Sequence, residues 1–280
     1  MTVRIVTDSV ADLPPRVVEE LGITVIPLAV RFGEEVYRDG IDLTAAQFYD
    51  KIQHSKVFPV TSVPSPAAFA EAYDKLAEET DEILVITISR KLSATGESAF
   101  KAVESMEKKC RVQILDSQLA MMAEGLLVIA AAKAARAGAS LDEIVKLAEC
   151  NIPRIELRLA FDTLEYLKRG GRIGKAQAFF GSLLKVNPIL TIKDGETYPV
   201  ARERSRARAI DHLHDFTASF SHIDEMAVEH ATTPDEAGGL IERLSAKFPK
   251  ERIYRSKVSP VIGALVGPRV LGVAVLGDRG

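Results

Sequence analysis

The chain has 280 residues, 47% of them hydrophobic and 27% charged, with a formal net charge of −3. That length holds one large or two ordinary domains around a sizeable core, and the mild acidity excludes a general nucleic-acid binder, whose affinity rests on a strongly basic surface. Cys110 and Cys150 stand far apart with no CxxC pairing, which argues against a zinc site or a disulfide framework and fits a reducing compartment.

The N-terminal stretch MTVRIVTDSV lacks a charged region followed by a long apolar run, so it reads as a first strand and the expected location is the cytoplasm. A helix follows, with Pro14 and Pro15 at its start and Gly22 at its end. Further apolar runs at 24–32, 83–88 and 112–115 each lead into a polar loop and a helical pattern. Strands alternating with helices predict a mostly parallel sheet covered on both faces. Residues 119–135 form the most hydrophobic stretch, but Glu124, Gly125 and Lys133 interrupt it and it is at or below spanning length; it reads as a helix buried on nearly every side. Helical periodicity over 141–150 and a polar turn near 151–154 predict a boundary, with one α/β domain over 1–155 and a second over 156–280.

The second domain opens with LRLAFDTLEYLKRGGRIG, where Gly170 and Gly171 break a short helix before Arg172. An amphipathic helix with Phe179 and Phe180 is expected next, then an extended run at 188–192, a hairpin turn at Asp194 and Gly195, and a strand to Ala201. A helix (205–220), a strand (226–230), a helix (234–248) and two last strands around Ile253 and Val273 complete the pattern.

The stretch FPVTSVPSPAAF (58–69) places Thr61 and Ser62 between prolines that keep the backbone extended. Ser65 and Pro66 have the character of an N-cap and first helical position, ahead of an apolar face carrying Phe69, Tyr73 and Leu76. A capped helix after a Pro-rich turn accounts for this stretch without a function; a helix mouth lined with hydroxyls also suits a carboxylate or phosphate. Ligands in parallel sheets bind beyond the carboxyl ends of the strands. Those ends carry Thr7, Asp8 and Ser9, then SRKLSATGES (89–98), then Asp116 and Ser117, so small hydroxyls are expected to converge there; singly, each is also an ordinary cap.

Neither GxxxxGK[ST] nor GxGxxG occurs, none of the five histidines has metal-site spacing, and no serine has a nucleophile-elbow context. Arg202, Arg204, Arg206 and Arg208 fall in one stretch, with Arg204 and Arg208 expected on one helical face: either a solvated surface or a contact for phosphate or an acidic partner. KRGGRIG is open to two readings as well, a helix C-cap or a close approach of a ligand or second chain.

The ordered set TDSVADLP, TSVPSP, ISRKLSATGESA, LDS, LEYLKRGGRIG, GSLLKVNPIL, DG and VIGALVGP, spread over the whole chain, resembles the DegV family of fatty-acid-binding proteins, acyl carriers for bacterial fatty acid kinase. The resemblance implies two α/β domains with a tunnel between them that holds one long-chain fatty acid, with palmitate as the type ligand. It implies a carboxylate gripped by the hydroxyls of Thr61 and Ser93, with Ser62 and Thr95 beside them, and a separate kinase that converts the carboxylate to an acyl phosphate. Transient membrane contact would exchange the ligand. The chain itself would be no enzyme and would need no metal or other cofactor. Arg172, Arg202 and Arg269 would then meet the added phosphate or the partner. Neutral hydroxyls bind a carboxylate without the tight ion pair that would blunt its nucleophilicity. Burying about fifteen methylenes at ~0.8 kcal/mol each supplies on the order of 12 kcal/mol before association costs.

One departure stands out. The family's last loop usually has a His two residues before its Gly-Pro pair and a Gly after it; here Leu265 and Arg269 flank Gly267 and Pro268, so a polar group near the headgroup is lost. Two other classes fit parts of the pattern. A small-molecule kinase subunit resembling the dihydroxyacetone kinase substrate domain needs a nucleophilic His, and none lies near the motifs; an arginine-rich interaction module would leave the tunnel incidental.

Overall fold

The computed structural model describes residues 2–179 and 186–280. β1 (Arg4–Asp8) leads to α1 (Pro15–Leu21), which starts on a proline whose missing N–H costs nothing there and ends at Gly22 in the left-handed region, φ 65°. β2 (Thr24–Ile26) comes next, and Pro27 then divides what the sequence presents as one apolar run. Proline lacks a ladder donor, so β3 (Ala29–Phe32) leaves the parallel sheet and pairs antiparallel with β4 (Glu35–Arg38). The expected single strand at 24–32 is therefore two strands in two sheets.

α2 (Ala45–His54) starts on a capping box of Thr44 and Gln47. β5 (Val60–Ser62) adds to β3, completing a three-stranded sheet ordered β4-β3-β5 that the alternation did not predict. α3 (Pro66–Leu76) is capped by Ser65, whose Oγ accepts from the Ala68 N–H at 3.2 Å, and it buries Phe69 and Tyr73 as its periodicity requires. β6 (Glu82–Thr87), α4 (Thr95–Ser105) and β7 (Arg111–Asp116) complete a parallel sheet ordered β2-β1-β6-β7. α5 (Met121–Arg136) and α6 (Leu141–Asn151) follow.

The C-terminal part builds one mixed sheet, ordered β10-β9-β8-β13-β11-β12. Its elements in chain order are β8 (Ile155–Ala160), α7 (Glu165–Arg169), β9 (Asn187–Lys193), β10 (Glu196–Glu203), α8 (Arg206–Ala218) and β11 (Phe220–His230). α9 (Pro234–Leu244), β12 (Ile253–Lys257), α10 (Pro260–Val266) and β13 (Leu271–Arg279) close it. Asp194 and Gly195 form the expected hairpin, with φ of 51° and 77°. Three expectations change. Arg204 precedes α8, which Ser205 caps, so Arg204 and Arg208 share no helical face. The stretch after Arg172 is a 3-10 helix, Gly174–Phe179, while Phe180 and all of GSLLK lie outside the described residues. The stretch 260–266, quoted only as a motif, is a helix.

α5 is where the halves meet. It packs on β1 and α1 on one side and on β8, β11 and β13 on the other, inside a single core cluster that runs from Val3 to Leu276. Its apolar residues point in every direction, and even Glu124 is fully buried. Among the described residues no helix is long and apolar enough to cross a membrane.

Candidate functional site

Thr61 sits in β5, paired with Val30 of β3, so the stretch between the prolines is an edge strand and not a loop. Its side chain is half-buried and that of Ser62 exposed, and among the described residues neither hydroxyl makes a hydrogen bond. Ser93 lies in the turn after β6. The N–H groups of Leu92 and Ser93 both donate to the Ser89 carbonyl, at 2.9 and 3.1 Å, and the Ser93 Oγ lies 2.9 Å from the Thr95 Oγ1. The Ser89 hydroxyl donates at 2.8 Å to the Gly195 carbonyl, fastening this turn to the β9–β10 hairpin.

Thr61, Ser62 and Ser93 line one cavity, of about 760 Å³ of atom-free space including its open mouth. Its apolar walls come from both parts of the chain: Leu28 and Ile88 from the N-terminal side, Leu159 and Phe161 from the C-terminal side, Val261 and Leu265 from α10. Arg172 is the charged side chain on the wall among the described residues, its Nε donating to the Leu92 carbonyl at 3.2 Å and its Nη1 to the Gly170 carbonyl at 2.7 Å. Arg172 thus bridges the Ser93 turn and the Gly170–Gly171 turn. Leu265 packs onto Gly170 so closely that a Cβ there would run into it.

The other candidates lie elsewhere. Thr95 is buried behind Ser93 and does not line the cavity. Arg202 stacks over the Phe179 ring at 4.3 Å and donates to the Ala178 carbonyl. The Arg269 Nε donates to Asp162 at 2.6 Å and its Nη2 to Glu236 at 3.1 Å. Neither Arg202 nor Arg269 lines the wall.

The expected convergence of strand-end polar groups is only partial. Thr7 donates to Glu124, Asp8 accepts from the N–H groups of Val10 and Ile88, and Ser9 donates to Asp39 at 2.7 Å. Asp116 accepts from the N–H groups of Arg90 and Gln118, and the Ser117 Oγ from that of Leu119. Buried backbone donors need partners, and these side chains supply them instead of facing the cavity. Thr191 and Thr197, which do face it, were not singled out from the sequence. Each is a lone threonine in its strand, so no local pattern marks it.

Burial raises the carboxyls of this inner group. Asp8 is pushed up to about 7, with the N–H groups of Ile88 and Val10 opposing, and Asp39 up to about 6 against its bonds to Ser9 and Val261. Among the described residues, no group of three or more His, Cys, Asp or Glu side chains is placed to hold a metal ion.

The mixed α/β frame encloses a cavity lined mainly by apolar side chains, with the Thr61, Ser62 and Ser93 hydroxyls and the Arg172 guanidinium on its wall. The chain belongs to the DegV family, described as uncharacterised proteins, which it matches over residues 2–278. A DegV domain-containing protein of Streptomyces coelicolor is 39% identical over 279 residues, covering 98% of each chain. Among solved structures, a fatty-acid-binding DegV family protein of Thermus thermophilus matches with a TM-score of 0.91 at 33% identity, over 99% of this chain and all (100%) of that one. DegV of Bacillus subtilis, a fatty acid binding protein, matches with a TM-score of 0.90 at 33% identity and the same coverage, 99% and 100%.

Proposed function

We propose that this protein binds one long-chain fatty acid in the cavity, in a cytoplasmic setting, with the carboxylate held by Thr61 and Ser93 and the acyl chain along the apolar wall. The observation that carries the reading is that the Thr61, Ser62 and Ser93 hydroxyls line one pocket whose wall is mainly apolar, with Arg172, Thr191 and Thr197 as its other polar members. Hydroxyl donors suit a carboxylate, and the wall suits methylenes. The fatty-acid-binding relatives support the same ligand class. Ser62 adds a donor at the mouth, and Thr95 orients Ser93. In this reading the N-terminal α/β domain spans 1–155 and the C-terminal domain 156–280, with the pocket between them.

The chain presents its ligand to a separate kinase and performs no chemistry itself. Arg172, on the cavity wall, would meet a phosphate added there, while Arg202 and Arg269 would offer exposed guanidinium groups to a partner. Val57, Val60 and Val63, 49%, 46% and 40% exposed, flank the headgroup strand and fit a transient membrane contact during exchange. A kinase-substrate subunit with a histidine-linked ligand has no support, since none of His54, His212, His214, His222 and His230 lines the cavity.

Solvent extraction of the purified protein followed by mass analysis is expected to find one acyl chain per protein. Absence of a stoichiometric acyl chain, together with failure to bind added palmitate or oleate, would overturn the reading.

A further inference from the structure

The two helices that wall the cavity do not cap themselves. α10 begins after Ser259, whose Oγ makes no hydrogen bond; its first N–H groups are taken instead by carboxylates more than 200 residues away. The Ser259 N–H donates to Asp12 Oδ1 at 3.1 Å and the Val261 N–H to Asp39 Oδ1 at 3.3 Å. α5 begins after Ala120, which has no capping side chain, and the Met122 N–H donates to Glu229 Oε2 of β11 at 3.2 Å. The same segments touch the ligand space: Val261 and Leu265 line it from α10, Ala120 and Met121 from the start of α5. The Ser256 hydroxyl, bonded to the Asp12 carbonyl, adds another tie across the seam.

Each capping carboxyl is buried, at 5%, 4% and 0% exposure for Asp12, Asp39 and Glu229. Asp12 Oδ2 and Glu229 Oε1 have no hydrogen-bond partner. Among the described residues none of the three is in an ion pair. A buried carboxylate without a cation is costly, whereas as carboxylic acids Asp12 and Glu229 keep one oxygen for the cap and carry the proton on the free one; the second oxygen of Asp39 accepts from Ser9.

We propose that Asp12 and Asp39 from the N-terminal part and Glu229 from the C-terminal sheet form a protonation-controlled latch, which holds the two walls of the cavity together while the carboxyls are neutral and loosens them for lipid exchange when they ionise. This rests on the fatty-acid reading given above. Ionisation puts like charges on both sides of the seam, and their repulsion acts to part the walls.

The surroundings favour the neutral form. Asp8, Glu124 of α5 and Tyr49 of α2 face the three carboxyls, and His230, Arg255 and Lys257 lie on the neighbouring strands. Burial raises Asp12 well above its ordinary value, with Glu229 adding to it, and pushes Glu229 up to about 8 against the Met122 N–H. Asp39 rises to about 6 by burial. Burial also lowers His230, with Arg255 and Lys257 acting in the same direction, so it brings no charge to the seam at neutral pH. Groups whose folded value lies above the unfolded one stabilise the closed state fully below the unfolded value. That contribution is lost as pH rises through the folded value. The latch therefore loosens between about pH 6 and 8.

The test uses the full chain loaded with palmitate, measuring transfer to phosphatidylcholine vesicles between pH 5.5 and 9. Amide protection at Met122, Ser259 and Val261, corrected for the intrinsic exchange rate, is followed in parallel. Release is expected to quicken about tenfold and protection to fall about tenfold across this range, the equivalent of one pKa unit. Glu229→Gln and Asp12→Asn keep an oxygen for the cap but cannot ionise, so both pH dependences flatten; Asp39→Asn serves if either variant fails to fold. Release or protection that stays constant with pH in the wild type overturns the latch, as does a pH dependence untouched in every amide variant. If no palmitate binds at any pH, the fatty-acid reading fails, and the protection profile still shows whether the seam titrates.

Discussion

Two groups of polar side chains lie where the N-terminal part meets the C-terminal sheet, and their treatment by the fold differs. At the cavity mouth, Thr61 and Ser62 keep hydroxyls that bond to nothing among the described residues, available to a ligand. In the seam, Asp8, Asp12, Asp39 and Glu229 are buried, at 5% exposure or less, and each accepts with at least one oxygen from a backbone N–H. The mouth group is hydroxyls and the seam group carboxyls, but the hydroxyls of Thr7, Ser9 and Ser117 also bond within the protein, so residue type alone does not decide the role. What decides it is whether the neighbouring helix start already has a cap: a buried helix end without one draws in any acceptor within reach.

If that contrast is right, the seam should tolerate change badly and the mouth well. The largest effect is expected at Gly125, in the middle of α5, where an added Cβ would lie 2.6 Å from the Ala11 carbonyl oxygen. Alanine gains about 1 kcal/mol in helix propensity over glycine, but the clash is with backbone, which cannot turn away. A net loss of about 2 kcal/mol is expected for Gly125→Ala from urea unfolding. A variant as stable as the wild type would show that α5 has room to move against the N-terminal strands.

Glu229→Ala comes next. It leaves the Met122 N–H unpaired and a hole beside Gly272, at a cost of about 1–2 kcal/mol. Glu229→Gln at pH 6 is expected to stay within about 0.5 kcal/mol of the wild type, because the amide oxygen restores the acceptor. Equal losses in the two variants would mean that Glu229 acts by charge and not by capping.

At the mouth the expected effect moves from stability to affinity. Thr61→Ala and Ser93→Ala should each weaken fatty acid binding by about 1–2 kcal/mol, five- to thirtyfold in Kd, while leaving the unfolding midpoint unchanged. Titration calorimetry with palmitate and urea unfolding separate the two quantities. Wild-type affinity in both variants would remove these hydroxyls from the headgroup site.

The same contrast explains what the sequence made legible. Ser65 ahead of Pro66, Pro15 with Gly22, and the Asp194–Gly195 pair all act within a few residues, so their elements were readable from local spacing. α5 was readable because apolar residues on every side leave no face for solvent. The caps of α5 and α10 come from partners 107, 247 and 222 positions away, and no local pattern marks such a pairing. The TDS residues drew attention as candidate ligand groups for a sound reason, polar residues at a strand end. Only the packed structure shows that their side chains serve the seam. The three-stranded sheet was hidden for another reason: Pro27 acts as a break between sheets, whereas in sequence the apolar run continues across it.

The smallest expected effects concern the last loop. Leu265 lines the cavity beside Arg172 and packs on Gly170, so Leu265→His would set an imidazole next to the headgroup with a donor that leucine lacks. Arg269 is held by Asp162 and Glu236 outside the wall, with its side chain 48% exposed, so Arg269→Gly breaks surface ion pairs worth about 0.5 kcal/mol. Palmitate affinity should stay within about 0.5 kcal/mol of the wild type in both, since the acyl chain supplies most of the binding energy. The two are told apart by supplying a bacterial fatty acid kinase with ATP and measuring acyl phosphate. Leu265→His is expected to raise the yield by stabilising charge at the mouth. Arg269→Gly is expected to lower it by less than about threefold, because it loses one partner-facing cation and no pocket contact. A rise with Leu265→His and a fall with Arg269→Gly would divide the loop into a headgroup side and a partner side. No change in either variant would mean that the loop serves packing alone and that transfer is governed by the Arg172 side of the mouth.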